Sequence, residues 1–159
     1  MVTELLRALL TAFFGTLGFC VILQVPRRAL LPASAVGALS YLLYWLLMRW
    51  GMSEPYAVFL GAVFGSLSGN LLARRLKMIS SIYILLSIVP AVPGLGLYRF
   101  MAQLAGGQYG TAAGTGTATM ITILGIALGI AAGSMIFRAL LTALKRLEGE
   151  RHGDRPEAG

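Results

Sequence analysis

The fold is decided by the stretch TATMITILGIALGIAAGSMIF, residues 117–137, which contains no charged residue. An α-helix rises about 1.5 Å per residue, so these 21 residues are long enough to cross a hydrocarbon core of roughly 30 Å. A buried helix in a soluble protein seldom needs so long an uninterrupted apolar run. The stretch therefore predicts a transmembrane helix, which we place at about residues 117–144.

Four more charge-free stretches precede it, at residues 8–26, 29–48, 55–73 and 78–98. Of all 159 residues, 57% are apolar and 12% are charged, about half the charged share of a typical soluble domain. The pattern predicts an all-α integral membrane protein with five transmembrane helices. The expected bounds are about 5–24, 33–50, 56–73, 78–104 and 117–144, in a single transmembrane domain (1–147) that is followed by a polar cytoplasmic tail (148–159).

The first stretch could also be read as a signal peptide, with Ala33-Ser34-Ala35 as its cleavage site. However, Glu4 makes the preceding segment less basic, and Arg27-Arg28 stand between the apolar run and that site, which is unusual for a signal. We therefore expect the first helix to be retained.

The basic residues divide unevenly between the two sides of the membrane. With five crossings, one side receives Arg7, Arg49 and Arg99. If the fourth stretch did not cross, the 13 basic residues would divide 7 to 6, so the bias favours an odd number of crossings. The positive-inside rule predicts a bacterial-type inner membrane protein with its N-terminus outside and its C-terminus in the cytoplasm. The cytoplasmic side then receives Arg27, Arg28, Arg74, Arg75, Lys77, Arg138, Lys145, Arg146, Arg151 and Arg155.

Two of the predicted helices carry a glycine at every fourth position. Such a spacing places the three glycines of each set on nearly one face of a helix, where two backbones can approach closely. Tight packing between helices is one interpretation. A sliding surface, or a seam with a second copy or a partner, is the other. The two sets are Gly61, Gly65 and Gly69, and Gly125, Gly129 and Gly133.

The fourth predicted helix is the least regular. Pro90 and Pro93 each lack a backbone donor, and Gly94 and Gly96 favour irregular backbone, so we expect a break near residues 90–96. Transporters commonly bind substrate at broken helices, because the ends of half-helices offer free N–H and C=O groups. These four residues and Tyr98 are therefore candidate substrate-binding residues. A kinked helix end, anchored at the interface by Tyr98 and its neighbour, is the alternative.

Three further polar residues are candidate contacts for a solute. Asn70 lies near the end of the third helix, where its amide needs a partner; it bonds either another helix or a solute. Thr115 and Thr117 belong to the small-residue segment 106–119, which is either a flexible outer loop or a binding surface for a small polar solute.

The composition argues against several other functions. No Asp or Glu lies inside a charge-free stretch, and Glu4 and Glu54 stand at the outer edge, so a proton-coupled system would need a carboxylate from a partner or from this rim. No catalytic acid–base pair, nucleophile arrangement or metal cluster is visible, since Cys20 and His152 are the sole members of their types. We therefore predict no enzyme activity, no catalytic residues, no cofactor, no metal and no nucleic-acid binding.

Two segments resemble the threonine/serine exporter family, and most closely its small C-terminal-half subunit of the YjjB type. They are VPRRAL, residues 25–30, and PAVPGLGLYRFM, residues 90–101. The resemblance implies export of threonine and serine, or of dicarboxylates such as succinate, driven by the proton gradient. It also implies a larger partner half in the membrane. No established set of functional residues comes with it.

The prediction is therefore a subunit of a small-solute exporter in the lipid bilayer, working with a larger exporter-like subunit. The broken fourth helix would shape the site, and a homo-oligomer is also possible. A structural subunit that scaffolds a partner without touching solute is the alternative, and an oligomeric channel formed by this chain alone is a third.

Overall fold

The computed structural model describes the backbone of residues 2–77 and 80–153 and the side chains of residues 3–77 and 80–143. In this part of the chain the backbone forms α-helices and no strand. A 3-10 turn, Val89–Ala91, separates the fourth helix from the fifth. The helices are α1 (Val2–Ile22), α2 (Arg27–Arg49), α3 (Glu54–Leu76), α4 (Ser80–Ile88), α5 (Gly94–Ala105) and α6 (Tyr109–Gly153).

Four of these helices, α1, α2, α3 and α6, are long and apolar enough to cross a membrane. The segments Ser80–Ala91 and Gly94–Ala105 together form a fifth candidate span that bends by 62°. The chain is thus an all-α membrane protein, and the predicted break of the fourth span is confirmed between α4 and α5.

The helices alternate in direction between two ends of the bundle. Arg49 Nη1 donates a hydrogen bond of 3.0 Å to Glu4 Oε2, which joins the end of α2 to the start of α1. We call this the acidic end, and Glu54 at the start of α3 also lies there. The opposite, basic end carries Arg27 at the start of α2 and Arg74 near the end of α3.

The first glycine set packs α3 against α2 and α4. A Cβ placed on Gly65 would lie 2.8 Å from Ser87 Oγ of α4 and 3.0 Å from Ser40 Oγ of α2. At Gly69 it would lie 3.0 Å from the backbone nitrogen of Ile84. Gly61 faces α2, where its Cβ would stand 3.4 Å from the carbonyl oxygen of Ser40.

The second glycine set packs α6 against another face of α3. Cβ atoms on Gly125, Gly129 and Gly133 would lie 3.1, 2.6 and 2.7 Å from the carbonyl oxygens of Pro55, Phe59 and Val63, respectively. Residue numbers increase in the same direction along the two helices, so α6 runs parallel to α3. The bent pair α4–α5 must therefore return the chain to the acidic end.

A hydroxyl pair adds a polar link between these two helices. Ser66 of α3 is fully buried, and its Oγ donates to the carbonyl oxygen of Ile130 at 3.1 Å. It also lies 3.0 Å from Ser134 Oγ of α6. Hydroxyls that bond across a helix pair contribute to association in lipid, where water cannot compete.

α6 extends beyond the acidic end of α3. Gly125 lies opposite Pro55, the second residue of α3, so the 16 residues 109–124 add about 24 Å of helix. α5 packs along this extension: a Cβ on Gly116 would meet the Phe100 ring at 2.7 Å, and Ala112 is fully buried.

The observed α6 differs from its predicted bounds at 117–144. The helix begins at Tyr109, and the expected loop shrinks to Gly106–Gln108, where Gly107 has a φ of 71°. The threonines of this segment fit a helix because their hydroxyls bond its own backbone; Thr117 Oγ1 donates to the carbonyl oxygen of Ala113 at 2.8 Å. At the other end the helix continues to Gly153, so part of the predicted tail 148–159 is helical and residues 154–159 lie outside the described residues.

α2 also starts earlier than its predicted bound at residue 33. It begins at Arg27, directly after Pro26, and takes Pro32 into its second turn. A proline near a helix start removes a single backbone bond, which costs less than ending the helix.

The close contact between α3 and α6 at Gly125, Gly129 and Gly133 can be tested by Gly→Ala substitution, because it should reverse the usual sign of the effect on stability. Gly→Ala at an open helix position usually stabilises the folded state by about 0.5–1 kcal/mol, because alanine loses less conformational entropy on folding than glycine does. We expect Gly129→Ala to destabilise by about 1–3 kcal/mol instead, since the methyl group would press on the Phe59 carbonyl. The measurement is the free energy of unfolding in detergent micelles.

The matched control is Gly114→Ala on the same helix, where a Cβ would have nothing within 4 Å. This variant should be as stable as the wild type or more so. Equal effects from both substitutions would show that the seam is not close-packed.

Candidate functional site

The break between α4 and α5 leaves free backbone donors. Pro90 and Pro93 cannot donate, and the chain turns through short bonds such as Gly94 N–H to the Val92 carbonyl oxygen at 2.8 Å. α5 then begins at Gly94. In the described structure the N–H groups of Leu95 and Gly96 have no backbone acceptor, as expected in the first turn of a helix.

A cavity of about 440 Å³ lies at this break, at the acidic end, between the starts of α3 and α5 and the first third of α6. Its volume is within the range of small-molecule sites. The lining residues are Glu54, Val92, Pro93, Gly94, Leu95, Gly96, Arg99, Thr115, Ala118, Thr119 and Thr122.

Hydrogen-bond donors lie on the α5 side of this cavity. Leu95 and Gly96 offer their free N–H groups at the positive end of the α5 dipole. The Arg99 guanidinium adds a full positive charge and up to five donors. This side is suited to bind a carboxylate.

Hydrogen-bond acceptors lie on the side formed by α3 and α6. Glu54 supplies a carboxylate. Thr119 and Thr122 are buried, and their hydroxyls donate to the carbonyl oxygens of Thr115 at 2.8 Å and Ala118 at 3.1 Å. With the hydroxyl hydrogens committed in this way, the oxygen atoms face other groups as acceptors. This side is suited to bind an ammonium group.

The two charged residues of the cavity are separate from each other. Glu54 and Arg99 line the same space, yet among the described residues the salt bridge that forms is the one between Arg49 and Glu4. Both remain exposed in the single chain. The cavity therefore has an electrically polarised interior that a zwitterion could bridge.

Gly96 lets α5 approach α6 at this site. A Cβ on Gly96 would lie 2.6 Å from Thr119 Oγ1, closer than real Cβ atoms come. Only glycine brings the start of α5 so close to a threonine hydroxyl, so this residue sets the width of the cavity at that point.

Four of the predicted substrate-binding residues line this cavity, namely Pro93, Gly94, Gly96 and Thr115. Pro90 instead lines a cavity of about 280 Å³ beside α1, together with Thr16 and Tyr41 and five others.

The remaining predicted site residues lie away from both cavities. Tyr98 is 70% exposed, and Thr117 is also exposed. Asn70 Nδ2 donates to the carbonyl oxygen of Ser66 on its own helix at 2.9 Å.

The sequence reasoning did not select Glu54, Arg99, Thr119 or Thr122 as site residues. Glu54 was visible as a carboxylate at the membrane edge, and Arg99 as the single charge in residues 78–137. What the sequence could not supply was the packing of α5 along α6, which brings residues 99 and 119 to the same space.

No three His, Cys, Asp or Glu side chains cluster as a metal site within the described residues.

Spanning helices with a cavity at a helix break are an arrangement found in membrane transporters. The family model described as "Threonine/Serine exporter, ThrE" matches residues 8–136, which is most of the chain. The chain belongs to the threonine/serine exporter family, a family of multi-pass membrane transporters. No solved structure matches it.

Thiol labelling would test whether water fills the cavity. In a Cys20→Ser background, we expect Val92→Cys to react with a charged, membrane-impermeant thiol reagent, because it lines the cavity and is 51% exposed. Leu128→Cys is the matched control, since it is 63% exposed but lies on the bundle surface of α6, where hydrocarbon suppresses the thiolate. Failure of Val92→Cys to react, or equal reaction of both, would contradict an aqueous cavity.

Proposed function

We propose that this chain is a subunit of an exporter for small zwitterionic amino acids, threonine and serine among them, and that the cavity at the α4–α5 break is its solute site. The observation that carries the proposal is the separation of donors and acceptors across that cavity. Family membership supports the solute class, and the geometry supports the place.

The α-amino acid fits the cavity by charge. Its carboxylate would accept bonds from the N–H groups of Leu95 and Gly96 and from Arg99, while its ammonium group would donate to Glu54 and Thr119. Charge-assisted bonds of this kind are roughly twice as strong as neutral ones. A zwitterion therefore satisfies both sides at once.

A dicarboxylate such as succinate fits less well. Its second carboxylate would face Glu54 and the lone pairs of Thr119 and Thr122, and like charges at close range repel. The arrangement therefore favours an amino acid over a dicarboxylate.

Of the two carboxylates among the described side chains, Glu54 is better placed than Glu4 for coupling to the proton gradient. Glu4 is held by Arg49 at 3.0 Å on the bundle surface, whereas Glu54 faces the cavity. A carboxylate can hold either a proton or an ammonium group, so protonation of Glu54 and solute binding would exclude each other. This would link transport to the proton gradient without any acid inside the spans.

A larger partner half would complete the site. Glu54 and Arg99 are exposed in the single chain, and a substrate bound between them would be open to water on one side. A second membrane subunit, or a second copy, covering this opening would exclude that water and strengthen both charged contacts.

Transport would proceed by alternating access, with the glycine seams of α3 as the sliding surfaces. The orientation we propose is that of a bacterial-type inner membrane, with the N-terminus outside and the C-terminus in the cytoplasm. The arginines gathered at the basic end support this orientation, since positive residues favour the cytoplasmic side.

Charge removal would test the site. We expect Glu54→Gln and Arg99→Gln to raise the threonine concentration for half-maximal transport by about tenfold or more, since each removes a charge-assisted contact. The measurement is uptake of labelled threonine, serine and succinate by inverted membrane vesicles that contain the chain and its larger subunit.

The matched controls are Glu4→Gln and Arg49→Gln, which remove like charges at the same end but outside the cavity. They should transport nearly as the wild type does. If all four variants transport normally, the cavity is not the solute site and the scaffold role gains support. Transport by this chain alone would instead indicate a self-sufficient oligomer.

Obstruction of the cavity is a second test that leaves the fold intact. A Cβ on Gly94 would have nothing within 4 Å, so the side chain of Gly94→Leu can enter the cavity without disturbing its neighbours. We expect normal assembly and a loss of most transport. Gly110→Leu on α6 also has open space around it and does not line the cavity, so it should transport normally. Wild-type rates for Gly94→Leu would contradict the proposed site.

A further inference from the structure

A second cleft lies between α3 and α6 at the basic end, opposite the cavity described above. Its volume is about 420 Å³. It is lined by the two basic residues Arg74 and Arg138, the apolar Leu141 and the hydroxyl-bearing Thr142. The cleft thus combines two positive charges with one apolar wall and one polar oxygen.

Neither of these arginines is neutralised by the described part of the chain. The guanidinium groups of Arg74 and Arg138 have no hydrogen-bond or salt-bridge partner there, unlike that of Arg49, which bonds Glu4. The carboxylates among the described side chains are Glu4 and Glu54, and both lie at the acidic end. Two like charges held in one cleft repel each other, so an anion between them would be bound favourably.

We propose that this cleft is a binding site for a phosphate group. Arginine binds phosphate through a planar fork of donors that matches two phosphate oxygens, and two arginines on separate helices can hold one phosphate from both sides. The Thr142 hydroxyl donates to the Arg138 carbonyl oxygen at 3.1 Å, which leaves its oxygen free to accept a bond from a neighbouring hydroxyl.

Two sources could supply such a phosphate: the headgroup of an anionic lipid, or free phosphate in solution. The cleft opens at the end of two membrane-spanning helices, which is the depth of lipid headgroups. Basic pockets between spanning helices are a common place for anionic lipid headgroups. Leu141 would then contact the lipid's apolar portion, and Thr142 would bond a headgroup hydroxyl.

Arg75 separates this site from general attraction to a negative membrane. It follows Arg74 in the same helix, carries the same charge and is also exposed, but it is not among the residues that line the cleft. If binding came from general attraction to the surface, loss of Arg74 or of Arg75 would weaken it equally. If the phosphate binds in the cleft, loss of Arg74 weakens binding and loss of Arg75 does not.

The experiment uses the full chain, purified with any subunit that accompanies it and reconstituted in phosphatidylcholine nanodiscs. Phosphatidylglycerol is added in increasing fraction in one arm, and inorganic phosphate in the other. Native mass spectrometry counts bound lipid, and the shift in melting temperature reports either ligand. Neither readout depends on transport, so the phosphate-site proposal can fail while the exporter proposal stands.

We expect phosphatidylglycerol to bind the wild type and Arg75→Gln equally, and to bind Arg74→Gln and Arg138→Gln about tenfold more weakly. Arg138→Lys should retain part of the affinity, because the charge remains and the fork is lost. The same pattern with inorganic phosphate would support the site and assign a soluble source. Equal loss in Arg75→Gln and Arg74→Gln, or no binding in either arm, would overturn the proposal.

Discussion

Close contact between backbones on two faces of α3 is the interaction on which the rest of the structure depends. Lipid tails are as apolar as leucine, so helices in a bilayer gain little from hydrophobic burial and must pack closely or bond to each other. Glycine meets this requirement on one face of α3 through Gly69, which packs against the Ile84 backbone, and on another through Gly129 of α6, which packs against the Phe59 carbonyl. α3 therefore holds the bundle together, and the spaces at its two ends arise where its neighbours diverge.

The two clefts of the molecule are both framed by α3 and α6 but differ in chemistry. At the acidic end, the prolines end α4 early and α5 departs along α6, which leaves free N–H groups beside Glu54. At the basic end no helix breaks, and side-chain charge alone defines the space between Arg74 and Arg138. One pair of helices thus frames a cavity lined by both charges and a cleft lined by positive charge alone, about one membrane thickness apart.

Much of the architecture could be predicted because its signals are local. Charge-free runs of about 20 residues identify spans, and two prolines with two glycines identify a break. The helical state of segment 109–116 was harder to predict, because its threonines and glycines are typical of a loop. The structure shows that the threonine hydroxyls bond the backbone of the helix itself. The cavity was harder still. A glycine every fourth residue indicates a packed face but not its partner, so Glu54, Arg99 and Thr119 could not be brought together from sequence.

The unbroken course of α6 has a mechanical consequence. One helix contains Thr119 and Thr122 in the cavity wall, Gly129 in the seam and Arg138 in the basic cleft, with no proline between them. A rotation or shift of this helix along α3 therefore moves all three places by a common displacement. A group bound in the basic cleft would therefore act on the same continuous helix that forms the cavity wall. This shared helix would couple the two places mechanically.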